Sequence, residues 1–171
     1  MNQTEINAEN IAYIGLGSNL DAPLIQITTA IKAIDLLPDT TVLAKAPIYK
    51  SKPLGPQDQP DFYNTAIKVS TSSHPEMLLK LLQHIEITLG RVKKRHWGER
   101  CIDLDILLFN NEQVNLPHLT IPHAEIRNRD FVLKPLLDIC QDLTLPNGEV
   151  LRDLLQQCPC NNLQPATSPT D

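Results

Sequence analysis

The apolar residues of this chain change period in a set order, and that order admits few folds. Ala12 to Gly17 reads as a strand that runs into a turn at Gly17-Ser18-Asn19. Leu24, Ile27, Ile31 and Ile34 follow at helical spacing, with Asp21 as the expected N-cap, Pro23 in the first turn and Pro38 ending the helix near Leu37. Residues 41–50 read as a second strand. Residues 51–61 hold Pro53, Gly55, Pro56 and Pro60 and read as a loop. Phe62 to Ser70 is a third strand, with Tyr63, Thr65, Ile67 and Val69 on one face and Phe62 and Asn64 on the other. Ser73 and Glu76 fit a capping box around Pro75. Leu78, Leu81, Leu82, Ile85 and Leu89 mark a second helix, stopped by Gly90. The clearest strand, Ile102 to Phe109, comes fourth. The order strand, helix, strand, strand, helix, strand predicts an α+β domain with a ferredoxin-like βαββαβ core, its helices packed on an antiparallel sheet. Strands and helices do not alternate strictly, which argues against a doubly wound parallel sheet.

The remainder reads as additions to that core. Asn110-Asn111 can supply the positive φ angles of a hairpin turn, with Glu112 to Asn115 returning along the fourth strand. Pro117 to Pro122 reads as a loop, about Asn128 to Ile139 as a helix around Pro135, and Leu151 to Gln157 as a last short helix. A length of 171 residues suits one domain. Its expected extent is 11–157, with residues 1–10 and 158–171 as flexible termini. Met1 to Asn10 is polar and does not resemble a secretory signal. No apolar run approaches the roughly 20 residues that span a bilayer. A soluble, cytoplasmic protein without a membrane partner is the expectation, as a monomer. Cys101, Cys140, Cys158 and Cys160 form no CxxC pair and are expected as free thiols.

The chemistry concentrates around the fourth strand. Asp103 and Asp105 are two residues apart, so their carboxylates project from one face with α-carbons about 6.5–7 Å apart, while Ile102, Leu104, Ile106 and Leu108 point the other way. Two adjacent carboxylates repel unless a cation or proton is shared, and magnesium suits such a pair because water and phosphate oxygens complete its octahedron. Just upstream, Arg91, Lys93, Lys94, Arg95 and Arg100 face only Glu99, which gives residues 91–100 a charge of +4 and leaves −9 on the rest of a chain whose net charge is −5. Guanidinium groups grip phosphate oxygens in a fork. A cationic stretch beside a metal-type carboxylate pair is what phosphoryl transfer requires. The overall acidity argues against a nucleic-acid coat. The Walker A pattern is absent, and Gly15-Leu16-Gly17 does not complete GxGxxG because residue 20 is Leu.

At these residues the chain resembles a known family. His96-Trp97-Gly98-Glu99-Arg100-Cys101-Ile102-Asp103-Leu104-Asp105-Ile106-Leu107 is similar to the signature of the 6-hydroxymethyl-7,8-dihydropterin pyrophosphokinases of folate synthesis. Gly15 to Asn19 resembles the family's opening strand and turn, and Pro53 to Asn64 its pterin-side loop and strand. Ile121-Pro122-His123, then Asn128-Arg129 and Phe131, resemble its late segment. The resemblance covers about residues 11 to 155. It implies mobile loops over the site and transfer of the β,γ-diphosphate of ATP to the pterin hydroxymethyl group, with release of AMP. It also implies that Asp103 and Asp105 hold two magnesium ions and that Arg91 and Arg100 close on the phosphates.

Further roles follow from the same resemblance. The pterin side would be Ser51, Lys52, Leu54, Phe62, Asn64, Trp97 and Phe131, with Asn64 reading the ring edge through its carboxamide. The ATP side would be Gln83, Glu86, Arg91, Lys93, Trp97, Arg100, Ile106, His118, Thr120, His123 and Arg129. His118, Ala124 and Asp130 depart from the residues common in the family, which are Arg, Tyr and Gly. The alternative from another class is a non-catalytic nucleotide- or nucleic-acid-binding module built on residues 91–100. The scarcity of aromatics, 4% of the chain, argues against a surface for stacked bases.

Overall fold

A computed structural model describes residues 9–53, 55–90 and 101–166. The elements in chain order are β1 (Asn10–Ser18), α1 (Pro23–Asp35), β2 (Thr40–Lys45), β3 (Tyr49–Ser51), β4 (Phe62–Thr71), α2 (Pro75–Thr88), β5 (Asp103–Phe109), β6 (Val114–Leu116), β7 (Leu119–Ile121), α3 (Asp130–Ile139), α4 (Leu151–Gln157) and β8 (Gln164–Pro165). The main sheet runs β5-β1-β4-β3-β8, and β2 also pairs with β4. Every pairing in it is antiparallel. With β2 and β3 taken together as one interrupted strand, this is the expected ferredoxin-like order, with the first and third strands central.

Side-chain alternation separates two apolar layers. Ala12, Ile14 and Leu16 of β1, Ile67 and Val69 of β4, and Leu104 and Ile106 of β5 bury against Ile27, Ala30 and Ile34 of α1 and Leu78, Leu82 and Ile85 of α2. On the opposite face Tyr13, Ala66, Leu107 and Leu108 bury against Leu133 and Leu136 of α3 and Leu151 of α4. Leu108 therefore does not face the way simple alternation predicts. Between Tyr13 and Ile14 the β1–β5 register shifts by one residue, a bulge that leaves Leu107 extra and puts Leu107 and Leu108 on the same side. No helix among the described residues is long and apolar enough to cross a membrane. All four cysteines are free thiols.

Several local expectations give way to tertiary contacts. The residue before α1 is Ala22, at φ 62°, not Asp21, and no side chain caps the helix. The Asp21 carboxylate instead accepts a bond from the Cys101 thiol at 3.2 Å. His74, not Ser73, precedes α2, again without a side-chain cap, and Glu76 turns outward to His118. The strand expected over 41–50 breaks at Ala46-Pro47-Ile48, where the Thr65 hydroxyl donates to the carbonyls of Ala46 and Pro47. Residues after Asn111 do not return along β5. They pair with the segment expected as a loop, giving the β6–β7 hairpin. The outer edge of β5 is already taken: Leu104 N–H donates to Glu86 Oε2 at 2.7 Å, and the Leu107 carbonyl accepts from His123 N–H at 3.0 Å. Nor do the contacts end at Cys158. Asn161 bonds Asp130, and β8 extends the sheet at β3.

Asn110 closes the end of β5. Its φ is 50°, its N–H donates to the Ile11 carbonyl at 2.7 Å, and its Oδ1 accepts from Ile11 N–H at 2.8 Å. Replacement by Ala loses the side-chain bond and adds the left-handed cost, about 2 kcal/mol together, whereas Gly tolerates that φ and loses only about 1 kcal/mol. Urea unfolding of Asn110→Ala and Asn110→Gly should reproduce that order, and equal losses would contradict it.

Candidate active site

The candidate residues gather because three strands end in register. Gly17 of β1 lies opposite Asn64 of β4 on one side and Asp103 of β5 on the other. The next row is Ala66, Gly15 and Asp105. Directly opposed residues share a face, so Asn64, both glycines and both aspartates stand on the face that α3 and α4 cover further along. Strands lie about 4.8 Å apart, so Asn64 and Asp103 flank a floor about 10 Å wide at their α-carbons. Tyr49 of β3 continues the first row, and Ser51 lies opposite Phe62.

The floor has no side chains because it is glycine. A Cβ on Gly17 would stand 2.6 Å from Asn64 Oδ1, and one on Gly15 would meet the Leu107 methyl groups at 3.2 Å. The Asn64 carboxamide thus lies across β1, in the space that a side chain at residue 17 would occupy. Its Nδ2 and the Ser51 Oγ are buried and have no hydrogen-bond partner among the described residues. Each such atom costs about 1–3 kcal/mol unless something satisfies it, so this wall has two polar groups that a ligand can take up.

Asn19 braces the neighbouring loop. Its Nδ2 donates to Gln59 Oε1 and to the Pro60 carbonyl, each at 3.0 Å, and Gln59 Nε2 donates to the Pro56 carbonyl at 2.8 Å. The preceding Ser18 hydroxyl donates to the Cys101 carbonyl at the entry to β5. One turn after β1 therefore fixes both the 51–61 loop and the start of the aspartate strand.

Beyond β5 a second hollow of about 190 Å³ opens, lined by Leu79, Asp105, Ile106, His118, Leu119, Thr120, His123 and Ala124. Four of the residues expected on the ATP side, Ile106, His118, Thr120 and His123, meet here beside Asp105. His123 Nδ1 accepts from Glu125 N–H at 3.1 Å, which places the proton of the neutral ring on Nε2, 4.0 Å from Asp105 Oδ2. Burial pushes the His123 pKa down, and Arg129 adds to this, against the opposing pull of Asp105 and Glu125. The neutral ring thus offers an N–H donor toward the hollow. The His118 ring pairs with Glu76 at 3.0 Å, where both side chains are exposed.

The remaining candidates lie on α2, after β3, on β4 and at the start of α3. Glu86 and Gln83, three apart on α2, are expected to share a helix face, yet Gln83 is exposed and Glu86 is buried with Oε2 on the Leu104 N–H, between the two aspartates. Arg129 precedes α3, with its guanidinium 5.7 Å from the Phe131 ring centre. Phe62 and Phe131 are half-buried, and Lys52 is exposed. Leu54, Arg91, Lys93, Trp97 and Arg100 lie outside the described residues.

The donor set fits magnesium. Among the described residues no group of three or more metal-ligating side chains occurs. Magnesium uses one or two carboxylates and leaves its other positions to water and phosphate, and Asp103 and Asp105 rise side by side over a floor open to such ligands. The glycine floor itself reads in sequence only as a strand and turn. Its spacing, two residues apart like the aspartates, is the available signal.

A family model described as 7,8-dihydro-6-hydroxymethylpterin-pyrophosphokinase (HPPK) matches residues 13–141. The chain belongs to this family. Among similar HPPK relatives, the 2-amino-4-hydroxy-6-hydroxymethyldihydropteridine pyrophosphokinase of Haemophilus influenzae is 51% identical over 146 residues, covering 85% of this chain and 91% of that protein. The enzyme of the same name from Pseudomonas aeruginosa is 46% identical over 152 residues, covering 89% and 94%. The fold is like that of Plasmodium falciparum HPPK-DHPS, solved with pterin and p-hydroxybenzoate. The TM-score is 0.69 at 17% identity, over 90% of this chain and 44% of that longer one.

The low His123 pKa has a consequence for stability. Below about pH 6.5 the unfolded chain protonates this histidine, while the folded protein resists the proton, so stability falls as pH drops. In metal-free protein, the thermal midpoint of the parent should fall relative to that of His123→Gln between pH 7 and pH 5. Parallel curves would show that His123 is not held neutral by burial.

Proposed function

We propose that this chain transfers the β,γ-diphosphate of ATP to the hydroxymethyl group of 6-hydroxymethyl-7,8-dihydropterin, giving the pterin diphosphate and AMP. The observation that carries this reading is the row Asn64–Gly17–Asp103, which sets a carboxamide with an unsatisfied buried donor across a bare floor from a carboxylate pair. Asn64 and Ser51 supply the buried polar groups that a pterin edge would satisfy, and the Phe62 and Phe131 rings supply flat apolar contact for the heterocycle. The nucleotide lies on the other side of β5, in the hollow of Ile106, His118, Thr120 and His123. The His123 Nε2–H is placed to donate to a phosphate oxygen. The two ligands then meet over the aspartates, which is the proximity an in-line displacement needs.

Asp103 and Asp105 would hold the magnesium, as two ions. Bound there, the metal neutralises triphosphate charge and eases ionisation of the attacking hydroxyl. Arg91 and Arg100 add positive charge for the diphosphate as it leaves AMP. No side chain needs to act as a covalent nucleophile: the hydroxymethyl oxygen bonds to the β-phosphorus as the bond from that phosphorus to the AMP oxygen breaks.

The assay combines the protein with ATP, magnesium and 6-hydroxymethyl-7,8-dihydropterin and separates the nucleotides. AMP together with pterin diphosphate is expected, and ADP, or turnover that does not depend on the pterin, would sink the proposal. Asp103→Ala and Asp105→Ala should each lower turnover roughly a hundredfold or more, since several kcal/mol of charge stabilisation depend on them. Both should keep a near-parental melting temperature, because neither carboxylate belongs to the core.

The floor gives a separate test. Gly17→Ala drives a methyl group against Asn64 Oδ1 and displaces the carboxamide. The KM for the pterin should rise by about tenfold or more while that for ATP stays near the parental value, because small misplacements in a site are costly. Parental pterin kinetics in this variant would remove Asn64 from the pterin site.

A further inference from the structure

We propose that Asn161 and Asp130 form a clamp that positions the pterin-side wall, so that the segment after α4 acts in substrate affinity as well as in the fold. The inference rests on the reading of that wall given above. Asp130 is the first residue of α3, only 6% exposed, and sits between Arg129 and Phe131. Both of its oxygens are held by one residue: Oδ2 accepts from the Asn161 backbone N–H at 2.8 Å, and Oδ1 from Asn161 Nδ2 at 2.8 Å. A buried carboxylate keeps its place only when donors satisfy it, and a two-pronged contact of this kind fixes orientation as well as position.

The chain then crosses to the other side of the same wall. Gln164 and Pro165 form β8 against Lys50 and Tyr49 of β3, and Ala166 N–H donates to the Ile48 carbonyl at 2.8 Å. β3 ends at Ser51, whose buried hydroxyl faces the candidate pterin site, and Tyr49 lies opposite Asn64. The Tyr49 hydroxyl donates in turn to Asp138 of α3. Residues 161–166 therefore join the first turn of α3, which carries Phe131, to the strand that carries Ser51. Both parts of the wall are tied to one short segment, whose hydrogen bonds go to Asp130 and to β3. Releasing the segment should loosen the pterin's seat, held through both Phe131 and Ser51, more than the ATP side, which it reaches only through Arg129.

The test uses the full chain as parent, Asn161→Ala, Asp130→Ala and the double variant. Steady-state kinetics give KM for each substrate. The pterin Kd is measured with magnesium and α,β-methylene-ATP, which cannot release its terminal diphosphate. Asp130→Ala removes both bonds and should raise the pterin Kd and KM about tenfold, and Asn161→Ala removes one and should raise them about threefold. The KM for ATP should rise by no more than about threefold, less than that for the pterin, kcat should stay within about twofold, and the double variant should match Asp130→Ala, as residues sharing one contact do. Unchanged pterin Kd in both single variants, equal weakening of ATP and pterin, or additive losses would each overturn the clamp. Absence of AMP from the parent itself would instead overturn the pyrophosphokinase reading, so the two failures are distinct.

Discussion

The register of β1 is the constraint on which the rest of the structure depends. This strand pairs along its length with β4 on one side and β5 on the other, and its odd-numbered glycines fall between Asn64 and Asp103 and between Ala66 and Asp105. A one-residue slip against either neighbour would exchange faces. Such a slip of β5 would bury the aspartates among the leucines of α2 and turn Leu104 and Ile106 out of the core. The apolar layer packed on α1 and α2 therefore does more than stabilise the sheet. It selects the one register that aligns a carboxamide, a bare backbone and two acids.

The same economy of position governs the edge of β5. An open strand edge would accept another strand, and here two groups occupy it from opposite directions. Glu86 reaches from α2 to the Leu104 N–H, and the backbone of His123 reaches the Leu107 carbonyl. The strand that carries the acids is thus held on both sides. The covering segments also bring the half-buried His123 imidazole and a hollow of about 190 Å³ beside Asp105. Fixing the edge and lining the hollow are one structural act.

Much of this is legible in the amino-acid order, and the exceptions share a cause. The period-2 pattern of Ile102 to Phe109 locates β5 and the paired acids, Gly90 marks the end of α2 at a φ of 86°, and Leu151 to Gln157 forms a helix with the bounds the sequence predicts. These features follow from local periodicity. The departures concern groups with two suitors. Asp21 and Ser73 have side chains that can cap a helix, but Asp21 is engaged by Cys101 and Glu76 by His118. Glu86 carries a charge that favours solvent, yet a backbone N–H on β5 draws it inside. The residues after Cys158 have a tail-like composition, and only the distant Asp130 and the edge of β3 give them a place. Among the candidate site residues, the aspartate pair can be expected from its position on a strand, and Asn64 from the family resemblance. The hollow beyond β5 cannot, because it depends on a hairpin whose second strand has the composition of a loop.

The bulge at Leu107 divides β5 into two stretches with separate obligations. Before it, one face of the strand carries Asp103 and Asp105. After it, the extra residue resets the phase, so Leu107 and Leu108 both serve the α3 layer and Phe109 serves the opposite one. The reset uncouples the two stretches mechanically. Exchange of one apolar residue for another after the bulge can repack the α3 and α4 layer without a change in where the acids point. The acids, in turn, do not dictate the shape of that layer. A single surplus residue thus lets one short strand serve two cores and a row of carboxylates without a conflict of phase.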